Sequence, residues 1–282
     1  MRKILFLLCA VFAFQAASAQ NGNLNRICKL PATKKIDVSE FECIYDYWVQ
    51  DTVLERWNKR EMILLVGKKW NKYMNYNYFR LDSVISTKDK SKLTVGQYES
   101  IKKEYDIEWG NDMTSFILKN KTDGMLQVYD RVMLDRFVYS DSIPKWNWKL
   151  HNETKKYCGY VCHKATTRFR GRNWVAWYCD LPVSEGPWKF SGLPGLILAV
   201  YDTSTNQRFI ANTVRKKQNA IVLVDRKEMK TTRERFNKAL KEYKENAGTM
   251  IANSGLVQKV TSTNGDIGPS YKRIFFNPIE LE

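Results

Sequence analysis

Histidine is the scarcest chemistry-bearing residue in this 282-residue chain, which holds only two, His151 and His163. Neither lies in a nucleophile elbow or a zincin-type helix motif, so triad hydrolysis and His-ligated metal catalysis have no support in the sequence. Carboxylates are abundant, but Asp180 and Glu185 flank the Pro182 loop without any defining spacing, so carboxylate-only hydrolysis stays open as a third reading without a motif behind it. Beyond Phe14 no apolar run reaches the roughly 20 residues that a spanning helix needs. Internal repeats and low-complexity linkers are also missing, which makes one domain the simplest reading of the chain after its N-terminal segment.

That N-terminal segment has the organisation of an export signal. Arg2 and Lys3 precede an apolar run from Ile4 to Phe14, and Ala17-Ser18-Ala19 follows with the small-x-small pattern of a cleavage site. The run is too short for a membrane anchor, and Leu8 before Cys9 does not make a lipid-attachment site. Residues 1–19 are therefore read as a signal peptide and 20–282 as the mature domain, soluble in the periplasm or held at the outer membrane through partners. The full chain has 46 Lys and Arg against 30 Asp and Glu, a formal charge of +16. Without Arg2 and Lys3 the mature chain has 44 against 30, or +14. Such an excess favours anionic partners, and in an exported protein these are acidic proteins, anionic lipid or lipopolysaccharide rather than nucleic acid. The basic residues occur as short groups, such as Lys68-Lys69, Lys102-Lys103, Lys155-Lys156 and Arg215-Lys216-Lys217, which read as a solvated face.

Five cysteines follow the signal: Cys28, Cys43, Cys158, Cys162 and Cys179. An odd number in an oxidising compartment leaves one unpaired. Cys158 and Cys162 lie on a predicted strand, where residues four apart are about 13 Å apart, too far for one disulfide or one tetrahedral metal. The strands 157–167 and 174–181 flank Phe169-Arg170-Gly171-Arg172, and a turn centred on Arg170-Gly171 puts Cys162 opposite Cys179. Cys162–Cys179 is the first expectation for a disulfide, and Cys158–Cys179 the alternative if the register slips. Cys28–Cys43 is the expected second pair. His163 points away from Cys162 on such a strand, and His151 is expected on a surface connection.

The rest of the chain reads as mainly β, a β-rich α+β fold. Phe41, Cys43, Tyr45, Tyr47 and Val49 alternate with polar residues at the period of a half-buried strand. Further strands are expected at 61–66, 114–119, 125–131, 133–140, 195–202, 208–214 and 220–224. Capping-box patterns at Thr94/Gln97 and Thr231/Glu234 mark two helices, the second long and late in the chain. Consecutive hairpins with a late helix imply a curved antiparallel sheet, half or fully closed like a barrel.

The most distinctive stretch is Gly186-Pro187-Trp188-Lys189-Phe190 followed by Gly192-Leu193-Pro194-Gly195-Leu196-Ile197-Leu198, a rigid turn feeding an apolar strand. Pro194 fixes its own φ, and Gly192 and Gly195 are expected to supply positive φ values. Trp188 and Phe190 have two readings: large aromatics of a β-sheet interior, as for most of the tryptophans, or an aromatic loop at the sheet rim, suited to docking. Trp146 and Trp148 share one face of a strand, and Trp174 and Trp177 face opposite ways.

Together with Cys158 to Ala165, Phe169 to Arg172, Trp174 to Tyr178 and the late Asn277-Pro278-Ile279-Glu280-Leu281, this stretch resembles the GLPGLI family of exported proteins from Gram-negative bacteria. The resemblance is specific over residues 146–202 and looser in the first half, where 68–82 fits an early aromatic segment. It carries no catalytic residues, metal ligands or cofactor. Genes of that family often neighbour outer-membrane TonB-dependent receptors, which implies an envelope accessory protein docking on such a component, through the segment from Gly186 to Ile197. The alternative is a periplasmic carrier holding a lipid or other apolar ligand in a β half-barrel. The oligomeric state is not fixed by any of these features.

Overall fold

In the computed structural model of the protein, residues 24–51, 54–105, 107, 115–253 and 276–282 are described. The expected signal peptide and cleavage site lie outside them. The chain forms two compact units, one from residues up to Ala32 together with Asn77–Met113, the other from Thr33–Tyr76 and Thr114–Glu282.

The smaller unit contains most of α1 (Tyr76–Ser86) and all of α2 (Val95–Glu104). Leu81, Ile85, Leu93 and Ile107 form its core, with Leu30, Tyr78, Tyr98, Ile101 and Tyr105 packed around them. Thr94 caps α2 as the sequence predicts, its hydroxyl accepting from Gln97 N while the Gln97 side chain accepts from Thr94 N. Helix α1 has no such signal. Its apolar positions Leu81 and Ile85 are four apart and therefore share one face.

The larger unit is one sheet of thirteen strands: β1 (Thr33–Asp51), β2 (Arg56–Gly67), β3 (Trp70–Asn75), β4 (Phe116–Asn120), β5 (Met125–Val132), β6 (Asp135–Ser142), β7 (Lys149–Tyr157), β8 (Tyr160–Phe169), β9 (Arg172–Cys179), β10 (Leu196–Asp202), β11 (Gln207–Lys216), β12 (Ala220–Val224) and β13 (Met229–Lys230). Their order is β13-β6-β5-β4-β3-β2-β1-β11-β10-β9-β8-β7, with β12 pairing the first part of β1. Only β13–β6 is parallel. The path has two ends, so the fold is mainly β with a curved, open sheet and not a closed barrel. Its curvature brings the Tyr45 hydroxyl of β1 to the Ile197 carbonyl of β10, a strand two places away, at 2.8 Å.

The expected strands from Phe41 onward are present, with shifted ends. Met133 sits in the β5–β6 turn at φ 54° instead of opening a strand. Strands β3, β7 and β13 lie outside the strands expected from periodicity. Helix α3 (Arg233–Asn253) is the long late helix. Its first turn is capped one residue later than expected: the Thr232 hydroxyl accepts from Arg235 N, while Thr231 N donates to Val138 O and continues the β13 pairing. Phe236 of α3 packs on Phe137 and Tyr139 of β6. No described helix is long and apolar enough to cross a membrane.

Candidate functional site

The segment from Gly186 to Ile197 is interior scaffold. Gly186, Pro187, Trp188, Phe190, Leu193, Gly195, Leu196 and Ile197 are all buried, Phe190 and Ile197 completely so, and only Gly192 and Pro194 of the motif are exposed. The expected aromatic docking loop is therefore not on the surface. Trp188 and Phe190 are drawn inward because they complete an aromatic cluster. Phe190 lies 4.8 Å from Trp146, 4.9 Å from Trp174 and 5.3 Å from Trp188, ring centre to ring centre. Trp146 and Trp148 lie in the connection between β6 and β7 and not on the expected strand, yet Trp146 stacks on Trp148, and Trp148 Nε1 donates to Ser191 O at 2.9 Å. Trp188 holds φ at 53°, a conformation bulky residues resist, so packing fixes its backbone. Gly192 has the expected positive φ of 83°. Gly195 does not. It is a glycine because a Cβ there would fall 1.7 Å from Cys179 O.

Buried charge holds this segment in place. Lys119 of β4, 1% exposed, donates from Nζ to Glu185 Oε2 at 3.0 Å and to Phe190 O at 2.9 Å. Arg172 at the start of β9 donates to Asp202 Oδ2 at 2.7 Å, and Asp202 Oδ1 in turn accepts from Asn206 N and Gln207 N. These interactions offset the cost of burying each charge. Replacing Lys119 with Met leaves the Glu185 carboxylate buried and uncompensated. Lys119→Met is expected to lower the unfolding free energy by about 3–5 kcal/mol, and the double variant with Glu185→Gln to recover part of it. Urea unfolding of the three proteins measures both, and a single variant as stable as the parent would contradict the pairing.

The predicted register of the β8–β9 hairpin is present. Arg170 and Gly171 occupy the turn at φ 43° and 80°, and Cys162 is the register partner of Cys179. All five described cysteines are thiols in this structure. Cys28 belongs to the smaller unit, whereas Cys43 is in the core of the larger, where burial pushes its thiol up and the nearby Cys158 and Cys179 add to the effect. The expected Cys28–Cys43 pair is thus divided between the two units, and Cys43 has other thiols as neighbours. Burial, with Cys179 next in effect, pushes Cys162 up to about 12, far from a reactive thiolate. Among the described residues no three His, Cys, Asp or Glu side chains are arranged to hold a metal ion. His163 lies on the opposite face from buried Cys162 and approaches Asp180 at 3.7 Å. His151 is on strand β7 and not in a connection, its Nε2 2.8 Å from Thr166 Oγ1.

Two surface features remain. A polar cleft of about 520 Å³ is lined by Gln127 and Val138, by Ser140 and Asp141, and by the run Lys230 to Glu234. Glu234 in this cleft is held below the usual carboxylate range by its own backbone N–H and then by the Thr232 hydroxyl, the wrong direction for a general acid. The second feature is strand β7, the last strand of the sheet path. Seven of its residues, Lys149, Leu150, Asn152, Glu153, Thr154, Lys155 and Lys156, are exposed, so it is open on both faces and, among the described residues, along its edge. Leu150 at 53% and Val161 at 51% are among the exposed large apolar residues of the chain; Tyr160 and Val161 lie at the turn end of the hairpin, opposite Tyr157 and Lys156, and Leu150 toward its other end, opposite Ala165. Sequence reasoning missed β7 because a strand wet on both faces has no apolar alternation to find.

Residues 113–238, from just before β4 into α3, match a family described as the N-terminal domain of an N-glycanase peptide. Two solved structures of PNGF-II, in P21 and C2 space groups, are similar to the chain with TM-scores of 0.49 and 0.48, each at 15% identity over 74% of this chain and 34% of theirs. The chain thus spans about a third of the length of those solved structures. No curated protein matches it.

Proposed function

We propose that the chain is an exported envelope accessory protein that binds another envelope component, of the outer-membrane receptor type implied by its GLPGLI-like segments, and that docking uses strand β7 and not the Gly186–Ile197 motif. The observation that carries this reading is the state of β7: a nine-residue terminal strand, wet on both faces, with lysines at 149, 155 and 156 and exposed Leu150, Tyr160 and Val161 on its hairpin. An edge strand offers a row of unpaired backbone N–H and C=O groups to an incoming strand. Two copies of β7 set side by side would bring lysines together, which disfavours self-pairing; an extended acidic segment meets the opposite condition. The mature chain's formal charge of +14, 44 Lys and Arg against 30 Asp and Glu once Arg2 and Lys3 are removed, favours approach of such a partner.

The carrier reading requires a continuous apolar cavity. The interior of the larger unit is instead filled by rings such as Trp174, Phe190 and Phe209, and the cleft at α3 is polar. This favours docking over carriage. In an oxidising compartment Cys162 and Cys179, already in register, are the pair suited to close a disulfide that ties β8 to β9 behind the docking strand.

The charge-reversed variant Lys155→Glu/Lys156→Glu tests the reading. Both residues are exposed, so stability should change by less than about 0.5 kcal/mol. A pull-down of the tagged mature protein from gently solubilised envelopes is expected to recover one stoichiometric membrane protein, lost with the variant and weakened by salt. Equal recovery by both proteins would remove β7 from the contact. Recovery of a defined lipid without protein would favour the carrier.

A further inference from the structure

Residues 276–282 are held by side chains from distant parts of the chain, and several polar groups of the segment are read individually. The Asn277 side chain accepts from Arg172 Nη2 at 2.7 Å and donates to Gln50 O at 3.0 Å, while its carbonyl accepts from Gln207 Nε2 at 2.8 Å. Arg172 also donates to the carbonyls of Pro278 at 2.7 Å and Ile279 at 3.0 Å. The Glu280 carboxylate accepts from Lys189 Nζ at 2.5 Å, Arg170 Nη1 at 2.8 Å and Arg233 Nη1 at 3.3 Å. Leu281 N donates to Arg170 O at 3.1 Å, and the Leu281 side chain fills space that a Cβ on Gly171 would take, 2.8 Å from that position.

The cations in this arrangement come from the β8–β9 turn, from the Gly186–Ile197 segment and from the start of α3. Lys189 is 1% exposed and Arg172 6%. A buried ammonium beside two guanidinium groups is strongly unfavourable without anions; Asp141 pairs with Arg170 at 3.0 Å and approaches Arg233 at 3.8 Å, and Glu280 supplies the carboxylate that the buried Lys189 ammonium contacts. The occupant is reached from the end of α3 at Asn253 through residues 254–275, a contour of at most about 80 Å. Its backbone makes no ladder with a neighbouring strand among the described pairings; it is gripped mainly by side chains, in the manner of a bound peptide.

We propose that the cleft walled by Arg170, Arg172, Lys189 and Arg233 is a recognition site for an extended acidic peptide of the pattern Asn-Pro-Ile-Glu-Leu, filled in this structure by the chain's own residues 277–281 and able to take the same sequence in trans. Arg172 selects Asn at the first position and an extended backbone behind it, and the three cations select the carboxylate two residues beyond Pro278. None of the β7 residues takes part, so this site stands or falls independently of the docking strand.

The test uses the full chain with a site-specific protease sequence placed within residues 254–275. After cutting, a fluorescent synthetic peptide with the sequence of residues 276–282 is titrated and followed by anisotropy, with circular dichroism as the check on folding. Saturable one-to-one exchange is expected, weakened about tenfold or more when the peptide has Gln in place of Glu280. The uncut chain should bind the labelled peptide far more weakly, because its own segment competes from within the same molecule. Failure of the labelled peptide to bind a cut chain that remains folded would overturn the proposal, as would equal binding of the Glu and Gln peptides or unfolding on cleavage.

Discussion

Gly195→Ala is expected to abolish folding of the larger unit, a far greater effect than its single added methyl group suggests. An ideal Cβ at Gly195 would lie 1.7 Å from Cys179 O, 2.8 Å from Cys179 C and 3.2 Å from Leu181 O. All three atoms are backbone, so no side chain can turn aside to make room. Cys179 pairs with Leu196 across β9 and β10 and with Cys162 across β8 and β9. Moving it out of contact would therefore disturb two ladders at once, beneath the fully buried run from Ile197 to Val200. Losses beyond about 4–5 kcal/mol are exceptional for one substitution, but a backbone displacement of this size in a domain stabilised by about 5–15 kcal/mol belongs in that class. Gly192→Ala in the same motif provides the comparison. Gly192 has φ 83°, and the nearest atom that a Cβ there would meet, Trp146 Cδ1, is 4.0 Å away, so only the left-handed backbone is penalised, by about 1–2 kcal/mol. Soluble yield and urea midpoints of the two variants should differ sharply. A Gly195→Ala protein as stable as Gly192→Ala would mean that β9 and the motif do not meet as closely as described.

The two glycines also show how far the sequence could be read. The motif announced a rigid turn before an apolar strand, and β10 begins at Leu196 as expected. Positive φ was a sound inference for Gly192, because a local pattern of Gly and Pro encodes local backbone. Close approach at Gly195 depends on Cys179, which belongs to another strand, and no local pattern reveals it. The β8–β9 hairpin was legible down to its register because the Gly-containing turn fixes which residues oppose one another. Arg170 and Arg172 of that same turn were not legible as a site. Besides Asp141 and Asp202, about 30 residues away, their partners are Glu280, Asn277, Pro278 and Ile279, more than a hundred residues away, and a basic turn otherwise reads as a solvated one. The rim-loop reading of Trp188 and Phe190 fails for a related reason: Gly and Pro around an aromatic pair suggest a surface loop, whereas the Lys119–Glu185 pair anchors these residues inside. Strand β7 is the opposite case, a strand without an apolar face.

Alkaline pH should unfold the larger unit cooperatively, because its core contains phenols that cannot ionise in place. Tyr45 and Tyr73 are 0% and 5% exposed, Tyr139 is 6%, and Tyr47 stacks on Phe209 at 4.4 Å between ring centres. Burial is the leading cause of displacement for all four: it pushes Tyr47 up to about 12 and moves Tyr45, Tyr73 and Tyr139 in the same direction. The Tyr45 and Tyr47 hydroxyls also donate to Ile197 O and Gln207 Oε1, bonds that ionisation would destroy. In the unfolded chain the same phenols lose their protons near pH 10. Above that pH the native state binds more protons than the unfolded state, so the stabilisation present below pH 10 is lost as pH rises toward the folded values. Each group contributes about 1.4 kcal/mol per pH unit. Four together remove about 5 kcal/mol per unit, enough to exhaust a typical domain stability within about 1–3 units. Lys189 acts in the other direction. Burial lowers its ammonium despite Glu280, and a lowered lysine adds stability as pH rises toward its unfolded value, but it is one group against four phenols and the buried Cys43 and Cys162 thiols, which burial displaces in the same direction as the phenols. Following tyrosinate absorbance and circular dichroism through the same titration decides the matter. The expected result is one coincident step well above pH 10, in which the buried phenols ionise only as the sheet is lost. Full tyrosinate formation near pH 10 with the sheet intact would place these side chains in water rather than in the core.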